Sequence, residues 1–531
     1  MLACSPNQKN KFWATAIIIL VVLAIFFWLQ NTPTLADPDS FYHTKITLMI
    51  RDYGLPHEFP WTQNSLYKEL YIDHHFLYHI LLIPFISIFT NPLVGIKFAT
   101  VLFATFSVLT IVWLLYKEKV KWLWLWLALL LTSAPLLFRL SLSKAPSLAI
   151  GITIIGLYII TRKKPIWLLV WSWLFVWFYS AWPLMILMLV VYTIIEAIYN
   201  SYHKIKQTGS TILNFINLIF KNWWNKPNRL LFLACLVGII AGLVINPYFP
   251  TNLFYLKQLF AMSLVSYNKF IGIGNEWYPW PITELIAAIA AQLLIWIMAT
   301  IFFFLNLKKQ SKFAWATWVL AIIFFLYTLK ARRQVEYLIP FMIISSALIW
   351  RDVLQETSLK KLWDQFISWL PNYLRGKTFV IFVLIYLLLI IPLAVIKNIT
   401  RPHQELAHGF TLNHLQPASL WLKNNTTPGS IVFQSDWGTF PLLFYNNTHN
   451  YYLTGLDQTF MYEFDKDKYQ LWRDTVDGKK SDIYDIAKTD FNASWLLLEK
   501  RRLDMLKWVN RDQRFVRVFA DEDAIIFKLA D

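Results

Sequence analysis

The sequence predicts a mainly α-helical, polytopic membrane protein with about eleven transmembrane helices, followed by a small external α/β domain. Of its 531 residues, 57% are hydrophobic and only 15% are charged, whereas about a quarter are charged in a typical soluble chain. Apolar runs long enough to cross a bilayer recur as far as residue 397, and residues 398–531 contain none. These observations divide the chain into a membrane domain, 1–397, and an external domain, 398–531.

The charge distribution predicts a partner in the membrane rather than a nucleic acid. The net charge is +17, but the cations lie in short clusters between apolar runs, which is the positive-inside pattern of a membrane protein. The two cysteines, Cys4 and Cys235, are far apart and indicate neither a disulfide framework nor a Cys-rich metal site. We therefore expect a multi-pass protein of the plasma membrane.

The first apolar run, 12–29, predicts a retained membrane helix, because no small-residue cleavage site follows it. Lys9 and Lys11 place the N-terminus in the cytoplasm, so residues 31–75 form an external loop. Within this loop, 40–53 has apolar residues at helical spacing, which predicts an amphipathic helix along the membrane surface.

The next apolar run, 75–89, decides the topology. It contains His79 and Pro84 and is shorter than the usual spanning minimum. If it only dips into the outer leaflet, the cation-rich segments 162–164 and 204–229 both lie inside, as the positive-inside rule requires. We therefore predict a re-entrant segment, with the second true span at 93–116.

The later apolar runs fit spans whose inner ends carry Lys and Arg clusters, such as Lys308 and Lys309, and the last span leaves the C-terminus outside. These predicted spans are 122–138, 145–160, 166–180, 183–199, 230–245, 282–307, 313–329, 335–350 and 378–396.

The external domain combines strand and helix patterns between turn-rich segments. Short apolar stretches predict strands at 430–433, 495–498 and 524–527, and longer periodic stretches predict helices at 415–424 and 501–508.

Two carboxylates, Asp37 and Asp39, lie at the outer mouth of the first span. A carboxylate at a bilayer surface needs a partner, which can be a cation, a metal or a substrate proton. An Asp-Pro turn with an Asp helix cap is the structural alternative. Asp73, His74 and His75 at the start of the re-entrant segment offer metal ligands or a proton relay, or simply a cap with interfacial histidines.

Cations on the outer side are the exception to the positive-inside rule. Arg332 and Arg333 follow the predicted span 313–329, and Lys144 closes the loop before 145–160. Arg holds phosphate with a forked, permanently charged donor set, so these residues predict a lipid phosphate or pyrophosphate site. Snorkelling to lipid headgroups is the alternative.

The segment DPDSFYHTK, from Asp37 to Lys45, resembles the first-loop motif of the oligosaccharyltransferase catalytic subunit family. In that register Asp39 matches the catalytic Asp, and Asp37 would support it. Tyr42 and His43 match an aromatic-His step, and Lys45 replaces an Arg.

Three weaker matches extend the resemblance along the chain. RRQVEYLIP is similar to the family's Arg-Phe-x-x-Tyr-x-x-Pro element, which places Arg333 at the donor-phosphate arginine and Tyr337 at its tyrosine. NEWYP adds Glu276, and SDWGTFP places Asp436 in the acceptor-reading motif. The topology also resembles the wider GT-C glycosyltransferase group.

Two departures from the family pattern bear on the chemistry. The family's second acidic motif belongs in the loop 139–144, which contains no acid. The resemblance implies a divalent cation, Mg²⁺ or Mn²⁺, whose ligands here would be Asp37 and Asp39, with Asp73 or His74 as substitutes. Gln434-Ser435 replaces the Trp-Trp of the acceptor-reading motif, which argues against asparagine-linked protein glycosylation.

We therefore expect a GT-C type glycosyltransferase that moves a sugar from a polyprenyl-phosphate-linked donor to a lipid or glycan of the cell envelope, on the external face. Two alternatives stay open. One is a transporter or flippase of lipid-linked sugars, for which mid-membrane ionisable residues and two similar halves would be typical; the sequence shows no such symmetry. The other is an oligosaccharyltransferase relative that glycosylates proteins.

Overall fold

The computed structural model describes residues 6–208, 212–264, 267, 271–355, 364, 368 and 391–530. Its first sixteen helices are α1 (Pro6–Gln30), α2 (Asp39–Tyr53), α3 (Phe76–Ile88), α4 (Pro92–Lys117), α5 (Leu123–Leu131), α6 (Ala134–Ser141), α7 (Pro146–Thr161), α8 (Pro165–Phe178), α9 (Pro183–Thr208), α10 (Ile212–Trp223), α11 (Lys226–Val244), α12 (Thr251–Leu264), α13 (Ile282–Ala288), α14 (Ala290–Leu305), α15 (Lys312–Lys330) and α16 (Val335–Leu354). The multi-pass, mainly helical architecture is confirmed.

The predicted number of about eleven spans is not confirmed. Among the described residues, 6 helices are long and apolar enough to cross a membrane, or up to 8 if each of two bent pairs is one span. The predicted span 122–138 is broken into α5 and α6, which meet at 73°, and 282–307 is broken into α13 and α14, which meet at 87°. The predicted span 378–396 lies largely outside the described residues.

The helix predicted in the first long loop, residues 31–75, is present, but it packs against the C-terminal domain instead of lying free along a membrane surface. α2 forms as predicted, and α3 is a 13-residue apolar helix containing Pro84, too short for a full span. The apolar residues of α2 are not left free for a lipid surface, because Phe41 and Ile46 are buried under the C-terminal domain. The Phe41 ring meets Tyr445 of that domain at 5.8 Å.

The C-terminal domain is built on a five-stranded mixed sheet in the order β4-β3-β5-β7-β6. Its strands are β3 (Ile431–Gln434), β4 (Tyr451–Tyr452), β5 (Trp495–Glu499), β6 (Phe515–Ala520) and β7 (Ala524–Leu529), and its longer helices are Gln416–Asn425, Phe440–Asn446, Gln458–Phe464, Lys466–Val476 and Leu503–Val509. The three predicted strands and two predicted helices are confirmed within a few residues. β4 and β6 were missed because one has two residues and the other carries exposed Val516 and Arg517.

Pairing between the first long loop and the C-terminal domain positions the start of α2. β1 (Thr34–Leu35) pairs antiparallel with β2 (Phe410–Thr411), which follows the helix Ile391–Ala407. Thr62 forms a parallel bridge with Tyr452, and Trp61 Nε1 donates to the Thr448 carbonyl at 2.9 Å. The loop and the domain also share one hydrophobic core. The carboxylates just before and at the start of α2 are therefore held beneath the domain.

Candidate active site

A cavity of about 480 Å³ lies where the membrane helices meet the C-terminal domain. Its walls come from the first long loop, the segment after α6, the α8–α9 turn, the 3₁₀ turn Asn275–Trp277, the α15–α16 junction and the helix Gln458–Phe464. Its charged and titratable lining residues include Asp39, His43, His74, His75, Arg139, Lys144, Glu276, Arg333, Glu336 and Asp457. Most of the predicted site residues therefore converge on one space.

The two carboxylates that precede and begin α2 share a single ammonium group. Lys144 Nζ lies 2.7 Å from Asp37 Oδ2 and 2.7 Å from Asp39 Oδ2. The other Asp37 oxygen accepts a hydrogen bond from the Asp39 backbone N–H at 2.9 Å, so Asp37 also forms the predicted turn. Asp39 keeps 32% of its side chain exposed and lines the cavity. Asp39 is thus the carboxylate of the pair that a substrate can reach.

The pKa values of Asp39 and Lys144 reflect this sharing. Burial, opposed by Lys144 and assisted by Asp37, raises the pKa of Asp39 to about 6. Burial alone would lower the pKa of Lys144, but Asp37 and Asp39 outweigh it and hold that pKa above its usual value. At neutral pH the cluster therefore contains a charged ammonium group and a carboxylate at Asp39 that remains ionised down to about pH 6.

A second ion network lines the same cavity. Glu276 binds two cations, with Oε2 at 2.5 Å from Arg139 Nη1 and Oε1 at 3.0 Å from Arg333 Nη1. Arg139 also donates from Nε to the fully buried Glu336 at 2.8 Å. Burial would raise the pKa of Glu276, but Arg333 and Arg139 outweigh it and hold that pKa well below its usual range. Glu276 is therefore an ionised brace between two arginines.

Arg333 is fixed by aromatic residues as well as by Glu276. Its Nη2 donates to the Tyr179 hydroxyl at 2.6 Å, and its guanidinium lies 4.5 Å from the centre of the Trp277 ring. A guanidinium held in this way loses little further entropy when it binds an anion. The residue matched to the donor-phosphate arginine is thus rigid and faces the cavity.

A buried chain of three polar side chains runs behind the cavity. Asp73 Oδ2 lies 2.6 Å from His79 Nδ1, and His79 Nε2 lies 2.8 Å from His43 Nδ1. If Asp73 accepts from His79 Nδ1–H, His79 Nε2 must accept from His43 Nδ1–H, which leaves the lone pair on His43 Nε2. Burial, together with His79 and Lys144, lowers the pKa of His43 well below its usual value. The chain therefore holds a neutral His43 in one tautomer at the cavity wall.

His74 and His75 contribute aromatic surface to the same cavity. The His75 ring stacks on Tyr179 at 5.5 Å and the His74 ring on Tyr255 at 4.9 Å. Burial lowers the pKa of His74 to about 4 and that of His75 well below its usual value. Both rings are therefore neutral at physiological pH.

The structure places some predicted site residues elsewhere. Asp436 caps the 3₁₀ turn after β3, accepting from the Gly438 N–H at 2.8 Å, and pairs with Arg502 at 2.7 Å, outside the cavity lining. Lys45 has Asp52 and Lys423 as its charged neighbours and does not line the cavity.

Arg332 and Tyr337 flank the cavity in different ways. Arg332 donates from Nε to the Pro279 carbonyl at 3.1 Å and lines a second cavity of about 270 Å³, which Glu276 also lines. Tyr337 lines the main cavity and stacks on Phe324 at 5.3 Å. Of these two adjacent arginines, Arg333 borders both cavities, whereas Arg332 borders the smaller one alone.

Several site residues were missed from the sequence. Glu336 carried a usable signal, because an acid inside an apolar span marks a functional site by default. His79 lies one helical turn after His75, so helical spacing could have placed it on the same face. Tyr179, Trp277 and Asp457 carried no comparable signal, since only tertiary packing brings them to the cavity.

The described donor set does not fit a divalent cation. Among the residues that the structure describes, no group of three or more His, Cys, Asp and Glu side chains could hold a metal ion. Asp37 and Asp39 are already engaged by Lys144, and Asp73 is bound to His79.

Neither a protein-family model nor a curated protein matches the sequence, whereas several solved structures share its architecture. The oligosaccharyltransferase AglB from Archaeoglobus fulgidus, solved with an inhibitory peptide and a dolichol-phosphate, is 14% identical with a TM-score of 0.58, over 95% of this chain and 72% of that one. ArnT from Cupriavidus metallidurans, bound to undecaprenyl phosphate, is 12% identical with a TM-score of 0.53, over 97% of this chain and 99% of that one.

The arabinofuranosyltransferase AftD from Mycobacteria is 12% identical with a TM-score of 0.54, and the match covers 100% of this chain but only 40% of AftD. These identities are too low to transfer residue roles, and they establish the architecture alone. The resemblance indicated by the sequence motifs is confirmed at that level. The chain has the fold of the GT-C membrane glycosyltransferases.

Proposed function

We propose that the protein transfers a sugar from a polyprenyl-phosphate-linked donor to a lipid or glycan acceptor of the cell envelope. The observation that carries the proposal is the cavity, in which a reachable carboxylate, Asp39, faces a rigid arginine, Arg333, beneath the C-terminal domain. The donor class is suggested by the solved AglB and ArnT structures, which contain dolichol-phosphate and undecaprenyl phosphate. We place the cavity on the external face of the plasma membrane, following the positive-inside rule.

Arg333 and Lys144 would hold the donor phosphate. Both are charged side chains that line the cavity, and they keep 17% and 13% of their surface exposed. Leu184 and Leu187 of α9 line the same cavity and would accept the first isoprenoid units, since an apolar wall favours a hydrocarbon chain. The phosphate and the lipid chain would thus bind to different residues of the same cavity.

The reaction would use Asp39 as the base. The acceptor hydroxyl would give its proton to Asp39 while its oxygen forms a bond to the anomeric carbon. The bond between that carbon and the donor phosphate oxygen would break, and the polyprenyl phosphate would leave with the electron pair. Arg333 and Lys144 would stabilise the charge that develops on the leaving phosphate.

The placement of ion pairs favours transfer over transport. A transporter is expected to carry ionisable residues near mid-membrane. Along α16, the charged side chains lie at the two ends, with Glu336 at the cavity and Arg351 bound to Glu118 at the other end. They are separated by roughly four helical turns, or about 22 Å. The described helix α16 therefore carries no charged side chain near mid-membrane.

The acceptor is a glycan or lipid in this proposal. The two residues matched to the acceptor-reading Trp-Trp, Gln434 and Ser435, form hydrogen bonds within the sheet of the C-terminal domain. Gln434 is fully buried and accepts from the Leu453 N–H at 2.9 Å, and Ser435 Oγ accepts from the Glu499 N–H at 3.1 Å. Neither lines the cavity. Protein glycosylation would need another means of reading a peptide.

The test is a transfer assay with the purified full-length protein in lipid nanodiscs. Lipid-linked sugars extracted from radiolabelled cells of the source organism would serve as donors, and a cell-envelope extract as acceptor. We expect labelled product from the wild type and none above background from Asp39→Asn. Equal transfer by the two proteins would contradict the proposal. Label that is found instead on proteins of the extract would reassign the acceptor.

A further inference from the structure

We infer that the Lys144 ammonium group takes the place of the divalent cation in this site, so that the carboxylate pair is satisfied by a side chain of the protein itself. This inference rests on the proposed function. It follows from the contacts of three side chains: Lys144 Nζ is 2.7 Å from Asp37 Oδ2 and 2.7 Å from Asp39 Oδ2.

The two carboxylate oxygens are those that a metal would need. Mg²⁺ in phosphate-transfer sites is commonly bound by one or two carboxylates plus substrate phosphate and water, so a pair of aspartates alone would suffice in principle. Here an ammonium group already bridges that pair. A divalent cation on the same two oxygens would have to displace it, because like charges at about 3 Å repel strongly in a partly desolvated site.

Among the described residues, no third acid lies close enough to Asp37 and Asp39 to help a metal compete. In the described part of the chain, His, Cys, Asp and Glu side chains form no group of three that could hold a metal. The loop from Arg139 to Lys144 contributes cations only, and Glu276 is bound by Arg139 and Arg333. Lys144 itself is well buried, with 13% of its side chain exposed, so it is not a loose surface charge.

Lys144 is also placed to bridge the carboxylates and the substrate phosphate, as a metal ion would. An ammonium group has three N–H donors, and the two aspartates engage two of them. The third can reach a phosphate oxygen in the cavity, which Lys144 lines. Lys144 would therefore link the carboxylates to the leaving phosphate as a metal does, with a fixed single charge that chelators cannot remove.

Mn²⁺ alone is the probe that tests this inference, because its binding requires neither donor nor acceptor. Free Mn²⁺ would be titrated by electron paramagnetic resonance against the full-length protein in nanodiscs made of neutral lipids. We expect no saturable site in the wild type, and one saturable site in Lys144→Met because the carboxylates have lost their cation. Lys144→Arg keeps the charge and should behave as the wild type does.

The double variant Lys144→Met with Asp37→Asn should lose the gained site, and Lys144→Gln provides a second neutral replacement if Lys144→Met does not fold. A saturable Mn²⁺ site in the wild type that Asp37→Asn removes would overturn the inference. Equal titration curves for the wild type and a folded neutral variant would overturn it too. Because the titration involves no sugar transfer, these outcomes are distinct from a failure of the proposed function.

Discussion

Two aspartates in this molecule, Asp37 and Asp436, have nearly the same local structure and very different surroundings. Each accepts a backbone N–H two residues ahead with one oxygen, and each pairs with a cation at 2.7 Å with the other. Their side chains are also similarly covered, at 19% and 15% exposure. The local motif alone therefore does not distinguish a site residue from a structural one.

The difference lies in what each cation does. Lys144 is 13% exposed, is shared with a second carboxylate, Asp39, and lines the cavity. The partners of Asp436 are Arg501 and Arg502, which are 60% and 32% exposed on the surface of the C-terminal domain. A shared, buried cation next to a cavity indicates chemistry, whereas exposed cations around a turn indicate a modest contribution to stability.

Among the tests of this comparison, we expect the largest effect on the rate of sugar transfer. Asp39→Asn should lower the turnover rate by about 10²–10⁴-fold, the usual worth of a general base. Asp436→Asn keeps the cap acceptor and should leave turnover within about twofold of the wild type, because it alters only ion pairs outside the cavity. Radiolabel transfer by the two purified variants measures both. Similar losses of turnover in the two variants would contradict the distinction between a site aspartate and a structural one.

The next largest effect is on stability. Glu336 is fully buried and is paired with Arg139, so Glu336→Gln leaves a buried guanidinium short of a charge partner and should destabilise the protein by about 3–5 kcal/mol. Asp436→Asn should cost no more than about 1 kcal/mol. Thermal unfolding of both variants in the same nanodiscs provides the measurement, and a smaller shift for Glu336→Gln would contradict the assignment.

A third prediction concerns donor binding. Arg333→Lys keeps the charge but loses the fork that contacts Tyr179 and Glu276, so we expect affinity for a polyprenyl phosphate to fall by about tenfold. Arg502→Lys, at the other aspartate, is the matched control and should bind the lipid as the wild type does. Fluorescence quenching with a labelled polyprenyl phosphate would report both, and unchanged binding by Arg333→Lys would exclude the phosphate role.

The smallest effect is on pH dependence. Because the pKa of Asp39 is about 6, protonation below that pH removes the base, and turnover should fall by about tenfold per pH unit there and stay level above it. Lys144 lowers the pKa of Asp39, so Lys144→Met should move this acid limb to higher pH in whatever activity remains. The profile of Asp436→Asn should superimpose on that of the wild type. If the acid limb does not move in Lys144→Met, Lys144 does not lower the pKa of Asp39 and this part of the account is wrong.

Long apolar runs made most of the membrane helices predictable, and short apolar stretches revealed the strands β3, β5 and β7. The broken spans were not predictable, because the 73° and 87° bends depend on how each half packs. Asp39 was found as a carboxylate at the outer mouth of the first span, His43 through the motif resemblance, and Arg333 as a cation against the positive-inside rule. The partner of Asp39 was not foreseen. Lys144 was assigned to phosphate, and only the folded chain shows it between two aspartates.

The central claim is that the cavity beneath the C-terminal domain binds the donor phosphate next to Asp39. The most direct test is a cryo-electron microscopy structure of the full-length protein in nanodiscs with a polyprenyl phosphate added. The account predicts phosphate density within hydrogen-bonding distance of Arg333 and Lys144, with the lipid chain along Leu184 and Leu187. Phosphate density in the smaller cavity beside Arg332 would contradict it.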